Sequence, residues 1–192
     1  MSLRKLNKRI LILCEGVTEE LYAKSLRAEL SRSLQRSIAV EVSVGNKWDP
    51  LNLVKEAISK AKRARKDKNP YDTIWLFFDH DNWPQLREAF RLIERENFRI
   101  AFTSLCIEHW FILHFEDSGR AYQQGDQAER RLRELWSEYH KTKVNHFQKL
   151  KHSLELAIER ADRVNQRQLD LPIFERNPFC SVPELISYFR SL

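Results

Sequence analysis

Two apolar runs in this chain each end in acid: Ile10-Leu11-Ile12-Leu13-Cys14-Glu15, and Thr73-Ile74-Trp75-Leu76-Phe77-Phe78-Asp79-His80-Asp81. Each is too short for a buried helix, and the second is rich in β-branched and aromatic residues, so both read as buried strands. A strand buried on both faces belongs to a parallel sheet covered by helices. Acids at the carboxyl ends of such strands lie where open α/β sheets place their ligand sites. Glu15, Asp79 and Asp81 converging there would repel one another unless a cation sat between them, and a divalent metal is the simplest one.

The rest of the chain fits that frame. Residues 9–14 form a first strand and residues 18–35 a helix, with Thr18 as its cap and Leu21, Tyr22, Leu26 and Leu30 at helical spacing. Residues 38–44 are a second strand. Asp49-Pro50 opens a second helix, with aspartate as cap and proline at the first helical position, and it runs to about Lys66. Asn69-Pro70 is a turn, residues 72–78 a third strand, 84–96 a helix and 98–103 a fourth strand. This βαβαβαβ order predicts an α/β fold with a mainly parallel four-stranded sheet flanked by helices. Residues 107–115, 126–140, 146–168 and a segment starting near Pro183 read as helices. The expected organisation is an α/β core over residues 1–116 and a helical C-terminal extension over 117–192 packed on it.

At 192 residues, with 42% hydrophobic and 11% aromatic side chains, the chain can bury a core. No apolar run approaches the roughly 20 residues that cross a bilayer, so no membrane is expected. The basic stretch Met1 to Arg9 leads into a run that stops at Glu15, too short for a secretory signal and without a cleavage site. Cys14, Cys106 and Cys180 are odd in number and far apart, which reads as free thiols in a reducing cytoplasm. The net charge of +6 favours polyanionic partners. Two basic stretches stand out. Lys60 to Lys68 includes Lys62, Arg63 and Arg65; Lys141 to Lys151 includes Lys143. Each reads as a solvated helix face or as a nucleic-acid contact.

Asp79 and Asp81 at i, i+2 share one face of an extended chain. The competing role is capping of the next helix by Asp81 or Asn82, which needs only one acid. Glu15 directly follows an apolar run, and Gly16 lets backbone approach a ligand. Glu19 and Glu20 fall in a first helical turn, where the macrodipole favours acids. For Glu20 that role suffices; Glu19 stays a candidate. Glu108 is the only acid in Ser104-Leu105-Cys106-Ile107-Glu108-His109-Trp110-Phe111-Ile112-Leu113-His114, beyond the fourth strand. Either it joins the site or it pairs with a base on a neighbouring helix. Ser104 reads as a helix cap or a ligand-orienting hydroxyl, with capping preferred. His114 reads as a core histidine. Lys141 reads as a phosphate contact or as a cation at a helix end. Trp48 and Trp83 are the tryptophans best placed to stack on a base.

Together these segments resemble a known family. A strand ending in Glu followed by a strand ending in Asp-x-Asp is similar to the TOPRIM fold. More closely, Cys14-Glu15-Gly16-Val17-Thr18-Glu19, Phe78-Asp79-His80-Asp81, Ser104 to His114 and the tail Asn177-Pro178-Phe179-Cys180-Ser181-Val182-Pro183-Glu184-Leu185 resemble the RloB-like family, found with prokaryotic restriction and phage-defence loci. The chain departs from the family's pattern at His80, where Arg is common, and at Leu105-Cys106, where Asn-Pro is usual. Ile107 stands where the family has Phe before Glu108.

The resemblance implies a Mg2+- or Mn2+-dependent nuclease acting on DNA or RNA. Asp79 and Asp81 would hold metal, and Glu15 would act as general acid/base or as a further ligand. It also implies a role in phage defence or abortive infection, an ATPase as candidate partner, and room for a homodimer. Two rival readings remain at this point. One is a non-catalytic nucleic-acid-binding or adaptor subunit of a defence ATPase complex. The other is a phosphoacceptor domain with Asp79 as nucleophile.

Overall fold

The computed structural model describes residues 8–46 and 49–192. Four strands, β1 (Lys8–Cys14), β2 (Ile38–Val44), β3 (Thr73–Asp79) and β4 (Arg99–Thr103), form one sheet of order β2-β1-β3-β4. All three pairings are parallel. The fold is α/β, with helices on both faces. The apolar runs are β1 and β3, the two central strands, where burial on both faces demands continuous apolar sequence.

Register then delivers the acids to one edge. Ile10 faces Thr73 and Cys14 faces Phe77. The Glu15 N–H donates to the Phe77 carbonyl at 2.8 Å, one step beyond the strand. Asp79 faces Thr103 at the last pair of β3 and β4.

Side chains alternate between two cores, as the strand period of two requires. Ile10, Ile12, Cys14, Trp75 and Phe77 face α1 (Val17–Ala28) and the C-terminal helices. Leu11, Leu13, Leu76 and Phe78 face α3 (Pro50–Lys66) and α4 (Leu86–Glu96). Asp49 caps α3, accepting from the Asn52 N–H at 2.9 Å, with Pro50 in the first turn.

The expected helix over 18–35 is two helices. After α1 the chain turns, and Ser31 caps α2 (Arg32–Ser37) by accepting from the Leu34 N–H at 3.3 Å. Thr18 does not cap α1; its hydroxyl donates to the Lys141 carbonyl at 3.3 Å. The helix expected over 146–168 is likewise split into α7 (His146–Leu150) and α8 (Leu154–Asn165), with 3-10 turns at 151–153 and 166–168. Between β4 and α7 lie α5 (Glu108–Leu113) and α6 (Gly125–Leu135). The last helix, α9 (Val182–Arg190), returns to the sheet, and its Leu185 and Ile186 share one core with Ile10 and Ile12.

That return blunts the edge strand β4. Ser181 donates its N–H to the Phe102 carbonyl at 2.8 Å and accepts the Phe102 N–H on Oγ at 2.9 Å. Ser104 donates its N–H to the Phe179 carbonyl at 2.9 Å and accepts the Phe179 N–H on Oγ at 2.5 Å. Ser104 therefore neither caps α5, which has no side-chain cap, nor orients a ligand in the cleft described below. It ties the Asn177–Phe179 segment to the sheet. Cys14 and Cys180 are buried free thiols, and Cys106 is half-buried and free. Among the described residues no helix is long and apolar enough to cross a membrane.

Ser104→Ala removes a buried hydroxyl that serves two backbone groups. It should cost about 1–3 kcal/mol of stability and leave divalent-metal binding unchanged. Urea unfolding followed by circular dichroism, with a metal titration of the same variant, checks both; unaltered stability would contradict the assignment.

Candidate metal centre

At the carboxyl edge of the sheet a cleft of about 720 Å³ opens between the start of α1, the turn after β3, α5 and α6. Among the described residues seven carboxylates line it, Glu15, Glu19, Asp79, Asp81, Glu108, Asp126 and Glu129, and Lys141 is the one basic side chain.

Backbone and hydroxyl donors position the acids. Asp79 accepts the Ile107 N–H on Oδ2 at 3.1 Å and the Thr103 hydroxyl on Oδ1. Glu15 accepts the Asp79 N–H on Oε2 at 3.0 Å and the Trp83 indole N–H on Oε1 at 3.1 Å. Strand one thus reads the end of strand three through a side chain. Glu108 is buried at the start of α5, where the helix dipole favours an acid. Its Oε1 accepts the Tyr139 hydroxyl at 2.7 Å and lies 3.6 Å from Lys141 Nζ. Lys141 also pairs with Glu129 at 3.0 Å, and Arg133 holds Glu129 at 2.8 Å.

Glu19 is buried, 5% exposed, and its carboxylate folds back on Gly16. A Cβ at position 16 would lie 2.7 Å from Glu19 Oε2. Gly16 has φ −130°, open to any residue, so a side chain there would have to displace only the end of the Glu19 carboxylate. Glu20 pairs outward with Lys24 at 2.9 Å.

Asp79 and Asp81 do reach one cleft, but not along an extended chain. The strand stops at Asp79, and Asp81 and Asn82 take left-handed φ of 36° and 56°. The turn swings Asp81 back over the cleft. His80 goes the other way, accepting the Asn82 N–H on Nδ1 at 3.0 Å and approaching the Phe102 ring; it does not line the cleft. Burial lowers its pKa.

The electrostatics are those of a site short of positive charge. Burial, with the charges of Glu19 and Asp81, raises Glu15 to about 8 against the donors from Asp79 and Trp83. Burial and the charge of Glu108 raise Glu19 to about 7, opposed by nearby backbone donors and Lys141. Asp79 is pushed well up, by burial and then by Glu19 and Glu15. Burial and Glu108 raise Asp81, against Lys141. For Lys141, burial works to lower its pKa, and Glu108 and Glu129 outweigh it, so it is raised.

Among the described residues no three His, Cys, Asp or Glu side chains already stand as a finished ligand cage. The donors nonetheless fit a hard divalent cation. They are carboxylate oxygens, the ligands Mg2+ and Mn2+ prefer. The Asp81 carboxylate accepts no hydrogen bond and makes no ion pair among the described residues, and Glu15 and Asp79 beside the cleft have no basic partner among them.

The other candidates lie elsewhere. Lys62, Arg63 and Arg65 are exposed on the C-terminal half of α3. Parallel crossovers run helices against strands, so this half of α3 sits at the end of the sheet opposite the acids. Lys143 is exposed two residues past Lys141. Trp83 lines the cleft, whereas Trp48 lies outside the described residues. His114 is a core histidine, with Nδ1 near the Leu150 carbonyl at 3.1 Å. Sequence reasoning missed Asp126, Glu129, Thr103 and Tyr139. Thr103 had a signal, a hydroxyl at the end of the strand beside β3. Glu129 and Asp126 had none, since an acid on an amphipathic helix is ordinarily solvated.

Residues 10–189 match the protein family described as RloB-like protein. No curated protein matches the chain.

The raised carboxyls give metal-free stability a sign. Glu15 and Glu19 stay protonated in the fold at pH values where the unfolded chain has ionised them. Their contribution is complete below about pH 4 and is lost as pH rises through 7 and 8. Between pH 7 and 8 the loss from Glu15 should be about 1 kcal/mol per pH unit, or about 2–4 °C in melting temperature. The buried histidines, lowered by burial, titrate below this window. Thermal melts in chelator should show the decline, and Glu15→Gln should make it shallower; a variant with the wild-type slope would contradict the assignment.

Proposed function

The chain belongs to the RloB-like family, and from that premise we propose that it is a metal-dependent nuclease that hydrolyses DNA or RNA phosphodiesters as a phage-defence effector. The observation that carries this reading is the crowd of buried, hydrogen-bonded carboxylates at the carboxyl edge of a parallel sheet, with Lys141 as its local counter-charge. Asp79 and Asp81 would hold Mg2+ or Mn2+, with Glu15 or Glu108 completing the set. A bound divalent ion supplies charge neutralisation for a phosphodiester and lowers the pKa of a ligated water.

The chain's own groups have separable tasks. Thr103 and the Ile107 N–H fix the Asp79 carboxylate, so its free lone pairs point into the cleft. Glu15 is anchored on both oxygens and, with a pKa near 8, can take and return a proton at neutral pH. Tyr139 and Lys141 orient Glu108. Lys141 can leave its carboxylate partners for a phosphate, because ion pairs of a half-exposed lysine are weak. Trp83, with its N–H held by Glu15, presents a ring at the cleft for stacking.

A second reading has its own support. With no finished ligand cage among the described residues, the acids could serve a binding or adaptor subunit of a defence ATPase complex and never turn over.

Cleavage assays on DNA and RNA with Mg2+ or Mn2+, with and without a co-encoded ATPase, decide between them. The nuclease reading expects cutting by the wild type. It also expects a loss of at least about 100-fold in Asp79→Asn and Glu15→Gln, with both variants still folded in chelator. Wild-type protein that binds nucleic acid and cuts neither polymer under any of these conditions selects the adaptor reading. Mg2+ should raise the melting temperature of the wild type and not that of Asp79→Asn.

A further inference from the structure

The cleft and the basic surface of this protein are at different places, and that separation bears on what the cleft is fed. The seven acids and one base of the cleft belong to a chain with 33 bases and 27 acids. The remaining surface is therefore more positive than the net charge of +6. A polyanion meets an acidic cleft only if its charge is held elsewhere on the molecule.

The outer face of α3 offers such a hold. Lys55, Lys62 and Lys66 are exposed and fall at i, i+7 and i+11, within about 40° of one line down a helix of 3.6 residues per turn. None of the three makes an ion pair among the described residues, although most other described bases pair or stack. Arg63 and Arg65 flank the line; Arg63 has one loose contact, to Asp67 at 3.8 Å, and Arg65 has none among the described residues. The buried face of the helix, Leu53, Val54, Ala57, Ala61 and Ala64, is fully engaged with the sheet, so the stripe is fixed in orientation. Its upper end lies near the cleft: α3 follows β2, whose last residue, Val44, lines it.

We propose that Lys55, Lys62 and Lys66 form a phosphate track leading away from the cleft, so that the substrate is a nucleic-acid polymer gripped far from the cut and not a mononucleotide or short oligonucleotide. At 1.5 Å per residue the track from Lys55 to Lys66 is about 16 Å long, and Lys66 lies about 24 Å along the helix from Pro50. At 3.4 Å per nucleotide step this length corresponds to about seven nucleotides counted from the start of α3. The cut-site role of the cleft rests on the nuclease reading; the track itself is a binding claim and stands apart from turnover.

The test is equilibrium binding of the full chain to fluorescent 6-nucleotide and 24-nucleotide DNA and RNA, single- and double-stranded, in chelator at several salt concentrations. The comparison is with the triple variant Lys55→Gln, Lys62→Gln, Lys66→Gln. The track predicts that the wild type prefers the 24-mer in at least one of these forms. For that form the triple variant should lose about tenfold or more in affinity near 0.1 M salt. Its salt slope should fall by about 2 to 3. The triple Lys→Arg variant keeps the charges and should bind as the wild type does, which guards against misfolding as the cause. A triple Gln variant that binds every 24-mer with wild-type affinity and slope overturns the track, as does a triple Lys→Arg variant that loses as much affinity as the Gln variant. Neither result depends on whether the protein cuts, so failure of the nuclease reading is seen separately in the cleavage assay.

Discussion

Like-charge repulsion among buried carboxylates is the constraint on which the functional end of this molecule turns. A parallel sheet with β1 and β3 at its centre brings Glu15 and Asp79 to one edge. Glu19, Asp81 and Glu108 then arrive from α1, the β3 turn and α5. Donors fix the positions of Glu15, Asp79 and Glu108, while the Asp81 carboxylate has no hydrogen-bond donor among the described residues. The fold answers the repulsion in two ways: by keeping protons on Glu15 and Glu19 near neutral pH, and by inserting Lys141. A divalent cation would do the same work more completely, which is why the metal reading follows from the repulsion itself.

The C-terminal helices are part of that answer. Tyr139 and Lys141 reach Glu108 from beyond the sheet, Glu129 pairs with Lys141, and Thr18 at the start of α1 donates to the carbonyl of Lys141. The Asn177–Ser181 segment closes β4, and β4 supplies the Thr103 hydroxyl that orients Asp79. The extension therefore acts on the site from two sides, through direct contacts and through the edge strand.

Much of this is legible in the sequence. Continuous apolar runs marked β1 and β3 as central strands, and Asp49-Pro50 marked the start of α3, because each pattern has one dominant physical cause. Glu15, Asp79, Asp81 and Glu108 stood out as acids that apolar surroundings leave unexplained. The helix over 18–35 was overread: apolar spacing continues through Leu30 and Leu34, and only the Ser31 cap shows the break. Ser104 was misread because its partner lies 75 residues away. Glu129 could not be read at all, since its role depends on α6 packing beside α5. The basic residues Lys62, Arg63 and Arg65 were visible as charge but not as place, and their place, away from the acids, is what gives the surface its meaning.

A crystal soaked in Mn2+ and measured at the manganese edge tests the central claim most directly. The account predicts an anomalous peak in the cleft, bounded by Asp79, Asp81 and either Glu15 or Glu108, with the Lys141 amine displaced from Glu108. A cleft without such a peak, with Lys141 still paired to Glu108 and Glu129, would contradict it.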